Sequence, residues 1–478
     1  MSNKKFLDAV HGYISVPESY CEKIVDTIHF QRLRRIEQTS SRSLFPCAHH
    51  DRFVHSLGVF HIGQKIVNTI SNQLEVNEGI KQSYLIACLL HDCGHSPFSH
   101  TFEHLFGTNS ELFERCKNEL KNHNIDEPLI DYNIEKSDAK PHEIISALLA
   151  LTVYFEAIID LGGNPAFVAR MIIGALYNTT EKSLEDCFIS LLHSDVIDAD
   201  KLDYVCRDKW ASGYLSNSVD LDRLISSIHI YKNNHNKYIV SFQKSAINEI
   251  QSVIDSKNFQ QIWVFKHHQV VYEQYLLEQS VEELITKLDP DNGDAKILFN
   301  VESFFKKIDV KTGISLYLPT DDDLIHLLKS NIDVLPHAKE WLSRKYSFFP
   351  LWKSRTEFLS NFKSQTGINL LSYKEKNLFD EIIMNFFAEK YGPDSVIILN
   401  GNPKFNKILK DQIKIKFNSV VVDYVDLNYP AISDVYSNSV FKYVYVNRDY
   451  FDEKENILTE LTAELKKIVE HRRRKRKK

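Results

Sequence analysis

The sequence predicts a mainly α protein, with a helical core and a smaller α+β region towards the C-terminal end, and three observations carry that prediction. Segments with apolar residues at helical spacing follow one another from residue 17 to residue 288, and again over 321–390. Runs rich in β-branched and aromatic residues are instead gathered late, at 395–399, 413–417, 420–425 and 441–446. A chain of 478 residues with 43% hydrophobic and 26% charged content is long enough to bury a sizeable core. Residues 1–290 then form the helical core, 291–470 a C-terminal helical and α+β region, and 471–478 a basic tail. The boundary falls at Asp289-Pro290-Asp291-Asn292-Gly293-Asp294.

Composition excludes some classes of function. A net charge of -6 and a pI near 6.4 argue against wholesale coating of nucleic acid. All seven cysteines (Cys21, Cys47, Cys88, Cys93, Cys116, Cys187, Cys206) precede residue 207 without CxxC spacing, which fits reduced thiols in a reducing compartment. No apolar signal core opens the chain, and no run approaches the roughly 20 apolar residues of a membrane span. The expectation is a soluble, cytoplasmic protein.

In chain order, residues 1–15 read as a turn and a short extended piece, and 17–27 as helical. Phe30-Gln31-Arg32-Leu33-Arg34-Arg35-Ile36-Glu37-Gln38 reads as a helix with one buried edge and a basic face, which suits either solvent or phosphate. A helix opening at Arg52 carries His55 one turn inside, with Arg52 on the same side. The polar stretch 104–141 reads as a loop-rich insertion, and Pro141 then opens a helix with His142 at its start. Two buried helices fill 144–176. Strand-like pieces around Lys232-Asn233-Asn234-His235-Asn236-Lys237 form a hairpin. The chain closes with a helix near 453–470 and the tail His471-Arg472-Arg473-Arg474-Lys475-Arg476-Lys477-Lys478, a solubilising end that can also contact nucleic acid.

Chemistry concentrates behind the apolar run Tyr84-Leu85-Ile86-Ala87-Cys88-Leu89-Leu90. There, His91-Asp92-Cys93-Gly94-His95-Ser96-Pro97-Phe98-Ser99-His100-Thr101-Phe102-Glu103 packs imidazoles and carboxylates together. Adjacent His and Asp at a helix end can aim two ligands at one divalent ion, because both suit metals that polarise phosphate. Gly94 and Pro97 are expected to stop that helix after the ligands, leaving His95, His100 and Glu103 on a turn and a short helix. Downstream, Asp195, Asp198, Asp200, Asp203 and Asp208 are too many carboxylates for a buried face unless some meet a cation, so one of them is expected to complete the metal shell.

The ordered blocks Phe30 to Arg34, Arg52 to Gly58, His91 to His100 and Asp200 to Asp208 resemble the HD phosphohydrolase superfamily. More narrowly they resemble its deoxynucleoside triphosphate triphosphohydrolases, the bacterial dGTPases and the mammalian SAM-and-HD-domain enzyme. The resemblance covers roughly residues 5 to 280 and implies an HD-domain helical core. It implies that His55, His91, Asp92 and Asp200 hold a divalent metal ion (Mn, Mg, Fe or Zn). It gives His95, His100, Glu103 and His142 the acid/base chemistry, and Gln38, Arg52, Lys201, Tyr204 and Asp208 the substrate. Arg52 and Lys201 would meet the triphosphate, and the other three the sugar. Asp26, Gln31 and Arg34 match positions that bind an activating nucleotide between subunits, so they are candidate allosteric residues as well as fold-supporting ones. Homo-oligomers are expected.

Two positions depart from the pattern: Cys93 replaces an aliphatic residue, and Thr39-Ser40-Ser41-Arg42-Ser43 stands where a Gly-rich piece is expected. The implied activity is metal-dependent hydrolysis of deoxynucleoside triphosphates to deoxynucleoside and inorganic triphosphate. The alternatives are an HD-type phosphodiesterase or nuclease acting on nucleic acid or a signalling nucleotide, and a nucleotide sensor without turnover.

Overall fold

The computed structural model describes residues 2–39, 44–126, 139–213, 218–288, 299–309, 315–366, 376–405, 410, 412–418, 420–427 and 441–476. The boundary expected at 289–294 and residues 40–43 lie outside these. The chain divides into two compact units, and neither is continuous. The first comprises residues 1–257, 281–331 and 408–429, the second 258–280, 332–407 and 430–478.

In the first unit, strands β1 (Asn3–Asp8) and β2 (Gly12–Pro17) form an antiparallel hairpin in which Asp8 faces Gly12. Gly12 makes the turn at φ +71°, a left-handed conformation that costs glycine nothing. The helical body follows as α1 (Arg52–Ser71), α2 (Glu78–Leu90), α3 (Asn109–Asn122), α4 (Pro141–Leu151), α5 (Pro165–Ile172), α6 (Ser183–Leu192) and α7 (Ala199–Ser212). A hairpin, β3 (Ile228–Lys232) and β4 (Tyr238–Gln243), and helix α8 (Asp321–Ser330) complete the elements used below.

Short polar side chains start these helices where backbone donors would otherwise be orphaned. The Asp51 carboxylate accepts from Val54 N at 3.0 Å at the head of α1, and Asp198 accepts from Lys201 N at 2.7 Å at the head of α7. The core gathers Phe53, Leu57 and Phe60 of α1, Leu89 and Leu90 of α2, Ile145 and Leu148 of α4, and Met171 of α5. Helices α1 and α2 approach closely at Gly63, where an added Cβ would lie 2.7 Å from Cys88 Sγ.

Several sequence expectations need correction. Helix α2 ends at Leu90, before the His-Asp pair, and His91 to Gly94 form a turn. Gly94 does not end the helix by relaxing the backbone. It is a point of close approach, since a Cβ there would stand 2.4 Å from His142 O and 2.6 Å from Ser146 N of α4. The basic stretch after Phe30 is not one long helix but a turn of α-helix, Ile28–Gln31, followed by a 3-10 turn, Arg32–Arg35. Its cations are engaged by the protein, with Arg32 buried on the carbonyls of Pro319 and His95 at 2.8 and 2.7 Å. The stretch expected as a loop contains α3, whose Leu112, Phe113, Cys116 and Leu120 make one buried edge behind a Thr108–Glu111 capping box. Residues 144–176 hold three helices rather than two, because Phe155–Asp160 intervenes.

The late strands do not stay together. Lys414–Phe417 and Val420–Asp423 extend the β3–β4 hairpin into a four-stranded sheet, Phe242 of β4 lying parallel and opposite Ile415. The second unit keeps an antiparallel sheet in the order Phe348–Pro350, Lys442–Asn447, Val396–Asn400. Its aromatic core includes Trp352, Phe358, Phe387 and Tyr445. Its last helix, Lys454–Arg476, takes in His471 to Arg476, which had been assigned to a tail. Lys and Arg are good helix formers and favourable at a helix C-terminus, so helical spacing continues into the basic run.

Candidate metal centre and its surroundings

Four side chains converge where α1, the end of α2 and the first turn of α7 meet. His55 Nε2 lies 3.3 Å from His91 Nε2, 3.5 Å from Asp92 Oδ2 and 3.0 Å from Asp200 Oδ1. His91 Nε2 is 3.5 Å from Asp92 Oδ1 and 3.7 Å from Asp200 Oδ1. The ring nitrogens facing away have fixed partners. His55 Nδ1 donates to Asp203 Oδ2 at 2.8 Å and His91 Nδ1 to the Cys88 carbonyl at 3.0 Å. Each imidazole therefore turns its Nε2 towards the others, the nitrogen that a metal-ligating histidine offers once a cation takes the place of its proton.

The electrostatics fit a cation. Burial disfavours the His55 imidazolium, yet the hydrogen bonds to Asp200 and Asp203 outweigh it and push the ring up to about 10. Burial also opposes ionisation of Asp92, but the Arg52 guanidinium and neighbouring imidazoles hold its carboxyl well below the usual carboxylate range. Two buried carboxylates, Asp92 and Asp203, and the half-buried Asp200 hold a proton on the imidazoles that a divalent ion can displace. The donor set of two imidazoles and two carboxylates suits such an ion; the protein binds a divalent metal, and His55, His91 and Asp92 bring ligand atoms close enough together to hold one.

Asp92 connects this group to a second one. His95 Nε2 approaches Asp92 Oδ1 at 3.1 Å, and the His95 ring stacks on His142 with centroids 3.7 Å apart. Glu103 joins the remaining two histidines, accepting from His100 Nδ1 at 3.2 Å and pairing with His142 Nδ1 through its other oxygen. Burial lowers His95 well below its ordinary value, so that ring is neutral at neutral pH, while the His100 side chain is 53% exposed. Burial raises the Glu103 carboxyl, but His142 and His100 more than offset it and keep it ionised. His95 is fully buried, with Nε2 facing Asp92 and Nδ1 without a hydrogen-bond partner.

The residues assigned to substrate are placed unevenly. The Arg52 guanidinium is buried on Asp92 and on Ser99 Oγ at 2.9 Å, so it braces the centre. The Lys201 ammonium bonds Asp198 at 2.9 Å. Asp208 receives His50 Nε2 at 2.8 Å, Gln38 N donates to the His50 carbonyl at 3.0 Å, and Gln38 Oε1 and His50 Nδ1 are buried without hydrogen-bond partners. Tyr204 is half-buried one turn beyond Asp200, and burial raises its phenol. The candidate allosteric residues lie elsewhere. Gln31 bonds Arg34 at 2.9 Å, Arg34 covers the Phe53 ring, and Asp26 pairs with Lys4 at 2.7 Å.

Sequence reasoning passed over other participants. His50, just ahead of α1, carries no motif of its own, yet its ring bonds Asp208. Lys257 lies outside every motif, donates to the Asp195 carbonyl at 3.2 Å, and is lowered to about 8 by burial and by Lys201. Asp203, weighed against Asp200 as a ligand, stands behind His55. Arg207, four residues on and of opposite charge, was the available signal for that supporting role.

The HD domain family matches residues 52–193 of the chain, the stretch that carries His55, His91, Asp92 and the Glu103-linked histidines. Over 300 residues it is 31% identical to an uncharacterized protein of Methanocaldococcus jannaschii, covering 63% of this chain and 53% of that one. Over 232 residues it is 32% identical to the deoxynucleoside triphosphate triphosphohydrolase SAMHD1 homolog of Dictyostelium discoideum, covering 47% of this chain and 39% of that one. The chain spans about half the length of the curated relatives it matches. A solved phosphohydrolase structure from Bacteroides thetaiotaomicron has a similar fold, with TM-score 0.61 and 16% identity over 94% of this chain and 100% of that one. Among the described residues no helix is long and apolar enough to cross a membrane.

Proposed function

We propose that the protein hydrolyses deoxynucleoside triphosphates at the α-phosphorus, releasing deoxynucleoside and inorganic triphosphate. The observation that carries this reading is His95, fully buried between Asp92, whose Oδ1 stands 3.1 Å from its Nε2, and the Glu103-linked histidines, with Nδ1 left without a hydrogen-bond partner. A buried polar atom without a partner is costly, and a phosphate group in that place would satisfy it.

His55, His91, Asp92 and Asp200 would hold the ion, which when bound supplies polarisation of a phosphoryl oxygen and a water of lowered pKa. Arg52 keeps Asp92 ionised and in place. His95, kept neutral by burial, and His100 offer hydrogen bonds to phosphoryl oxygens. His142, its Nδ1 held by Glu103, presents Nε2 to give a proton to the leaving 5′-oxygen, and the Glu103 carboxylate stabilises the charge that ring carries before transfer. Lys201 and Lys257 would meet the rest of the triphosphate, and Gln38, Tyr204 and Asp208 the sugar. A tyrosine packed against C2′ would leave no room for a 2′-hydroxyl. The relative from Dictyostelium discoideum, named for this activity, supports the substrate class.

The test is product analysis of the purified chain with each of the four dNTPs and with GTP, in Mn²⁺ or Mg²⁺, beside Asp92→Ala. Triphosphate and deoxynucleoside released by the wild type alone would support the reading. Release from none, even with nucleotides mixed to supply an activator, would overturn it and direct attention to single-stranded nucleic acid and cyclic nucleotides.

A further inference from the structure

Four residues outside the stretch that the HD family matches are built into the back of the metal cluster. Asp203 stands with its carboxylate fully buried, and every lone pair it offers is used. Oδ2 accepts from His55 Nδ1 at 2.8 Å and from Arg207 Nε at 2.8 Å, while Oδ1 accepts from Arg207 Nη2 at 3.0 Å and from His11 Nε2 at 2.6 Å. Arg207 carries the chain of contacts onward, donating from Nη1 to Asp8 Oδ2 at 2.7 Å. Asp8 in turn shapes the β1–β2 turn, its Oδ1 accepting from Val10 N at 2.9 Å and His11 N at 2.8 Å. The His11, Asp203, Arg207 and Asp8 side chains are 4%, 0%, 2% and 6% exposed. Helix α1 leaves room for the group only because residue 58 is glycine: a Cβ there would lie 1.9 Å from Asp203 Oδ1 and 2.5 Å from Arg207 Nη2.

The consequence is mechanical. His55 can present a lone pair at Nε2 only while its proton stays at Nδ1, and Asp203 Oδ2 keeps it there. Asp203 in turn is oriented by one arginine from its own helix and one histidine from the amino-terminal hairpin, 192 residues away in sequence. A carboxylate so placed that lost His11 would keep its charge but gain freedom to swing about the Arg207 fork. The His55 ring would then no longer be held in one tautomer and one plane.

We propose that Asp8 and His11 of the hairpin turn, with Asp203 and Arg207, are positioning residues for His55, so that seating of the hairpin and binding of the divalent ion form one coupled equilibrium. This rests on the reading that His55, His91, Asp92 and Asp200 hold that ion. Coupling of this kind is reciprocal: what the hairpin does for the ion, the ion does for the hairpin.

The experiment is a Mn²⁺ titration of the full chain by calorimetry, with amide hydrogen exchange followed over residues 3–17 with and without the ion. His11→Ala should weaken Mn²⁺ binding about tenfold, the lower range for loss of an outer hydrogen-bond partner. His11→Gln, which keeps a donor for Asp203, should restore most of it. Lys4→Ala, on the exposed side of the same hairpin, should leave it unchanged. Mn²⁺ should slow exchange in the hairpin of the wild type and not in His11→Ala. Tight wild-type binding with equal affinity in His11→Ala, or hairpin exchange indifferent to the ion, would overturn this inference alone. Absence of Mn²⁺ binding by the wild type would overturn the reading of the metal cluster, and the inference with it.

Discussion

Replacing Gly58 by alanine adds one methyl group where α1 passes the Asp203–Arg207 pair. In a helix interior this change normally stabilises by about 0.8–1 kcal/mol, because glycine has more backbone freedom to lose. Here the added Cβ would stand 1.9 Å from Asp203 Oδ1 and 2.6 Å from its Cγ. Ordinary contact between such atoms begins near 3.4 Å, so the carboxylate must retreat by about 1.5 Å. None of the hydrogen bonds of 2.6–3.0 Å that Asp203 makes survives that displacement.

Forcing a methyl into a packed interior costs roughly 1–3 kcal/mol, and separating a buried ion pair roughly 3–5 kcal/mol. Even the lower ends of those ranges exceed the helical gain, so the net effect is a loss of at least about 2 kcal/mol. For a unit of this size that corresponds to a melting point lower by at least about 3 °C. The assay is thermal denaturation of the full chain, with Mn²⁺ affinity measured in parallel. Gly213→Ala is the control, since that glycine has φ +70° but no atom within 4 Å of its added Cβ, so it should lose only about 1 kcal/mol to backbone strain and nothing in Mn²⁺ affinity. A Gly58→Ala protein as stable as the wild type and equally able to bind Mn²⁺ would refute the reasoning.

Saturating Mn²⁺ should raise the melting point, since an ion at a hundredfold excess over its dissociation constant stabilises by about 2.7 kcal/mol, and Asp92→Ala should abolish the shift. An unchanged shift in that variant would place the ion elsewhere. His142→Ala should lower triphosphate release by about 10²–10⁴-fold with Mn²⁺ affinity retained, a combination that separates proton transfer from metal binding; equal loss of both would count against the assignment. Burial pushes Asp321 up to about 7, Glu37 adds to the effect, and backbone donors and Arg32 oppose it. The folded state then binds a proton that the unfolded state, titrating near 4, has already released. Stability is therefore greatest below that range and falls as pH rises to about 7, by up to about 4 kcal/mol. The slope of melting temperature against pH between 5 and 8 should be shallower in Asp321→Asn, and parallel curves would exclude the effect.

What could be seen in the sequence was what lies close along the chain. His91 and Asp92 are adjacent, His95, His100 and Glu103 follow within twelve residues, and the apolar run before them marks the helix that presents them. His55 and Asp200 needed the resemblance, since nothing in their local spacing sets them apart from His61 or Asp198. The Asp8–Arg207–Asp203–His11 group was not legible at all as a group, because its four members are scattered over two hundred residues and each alone is an ordinary charged or turn residue. Helix α3 was hidden by its polarity: its apolar positions are few, and only their spacing makes an edge. The late strands were visible as strands, but pairing with β4 is a long-range contact that a run of β-branched residues does not specify.

The loop between His95 and His100 shows why so much of the first unit is needed to make the site. Phe98 and Ser99 both have positive φ, +56° and +55°, a conformation that costs a side-chain-bearing residue about 1–3 kcal/mol and persists only where the surroundings impose it. Three distant residues do so. Asp321 at the start of α8 accepts from Phe98 N at 2.6 Å, Arg52 of α1 donates to Ser99 Oγ at 2.9 Å, and that hydroxyl donates to the Glu37 carbonyl. The tight turn brings His100 back to within 4.8 Å of the His95 ring, where both meet His142. Asp321 holds Glu37 N as well, at 2.9 Å, so one carboxylate seats both the loop and the segment leading to Gln38. Arg52 serves both halves of the centre, bracing Asp92 on the metal side and Ser99 on the histidine side. The spacing between the proposed ligands and the histidines beyond them is thus set by residues 37, 52 and 321 rather than by the HD motif itself, so a change at Asp321 should disturb the histidines before the metal, whereas a change at Arg52 should disturb both.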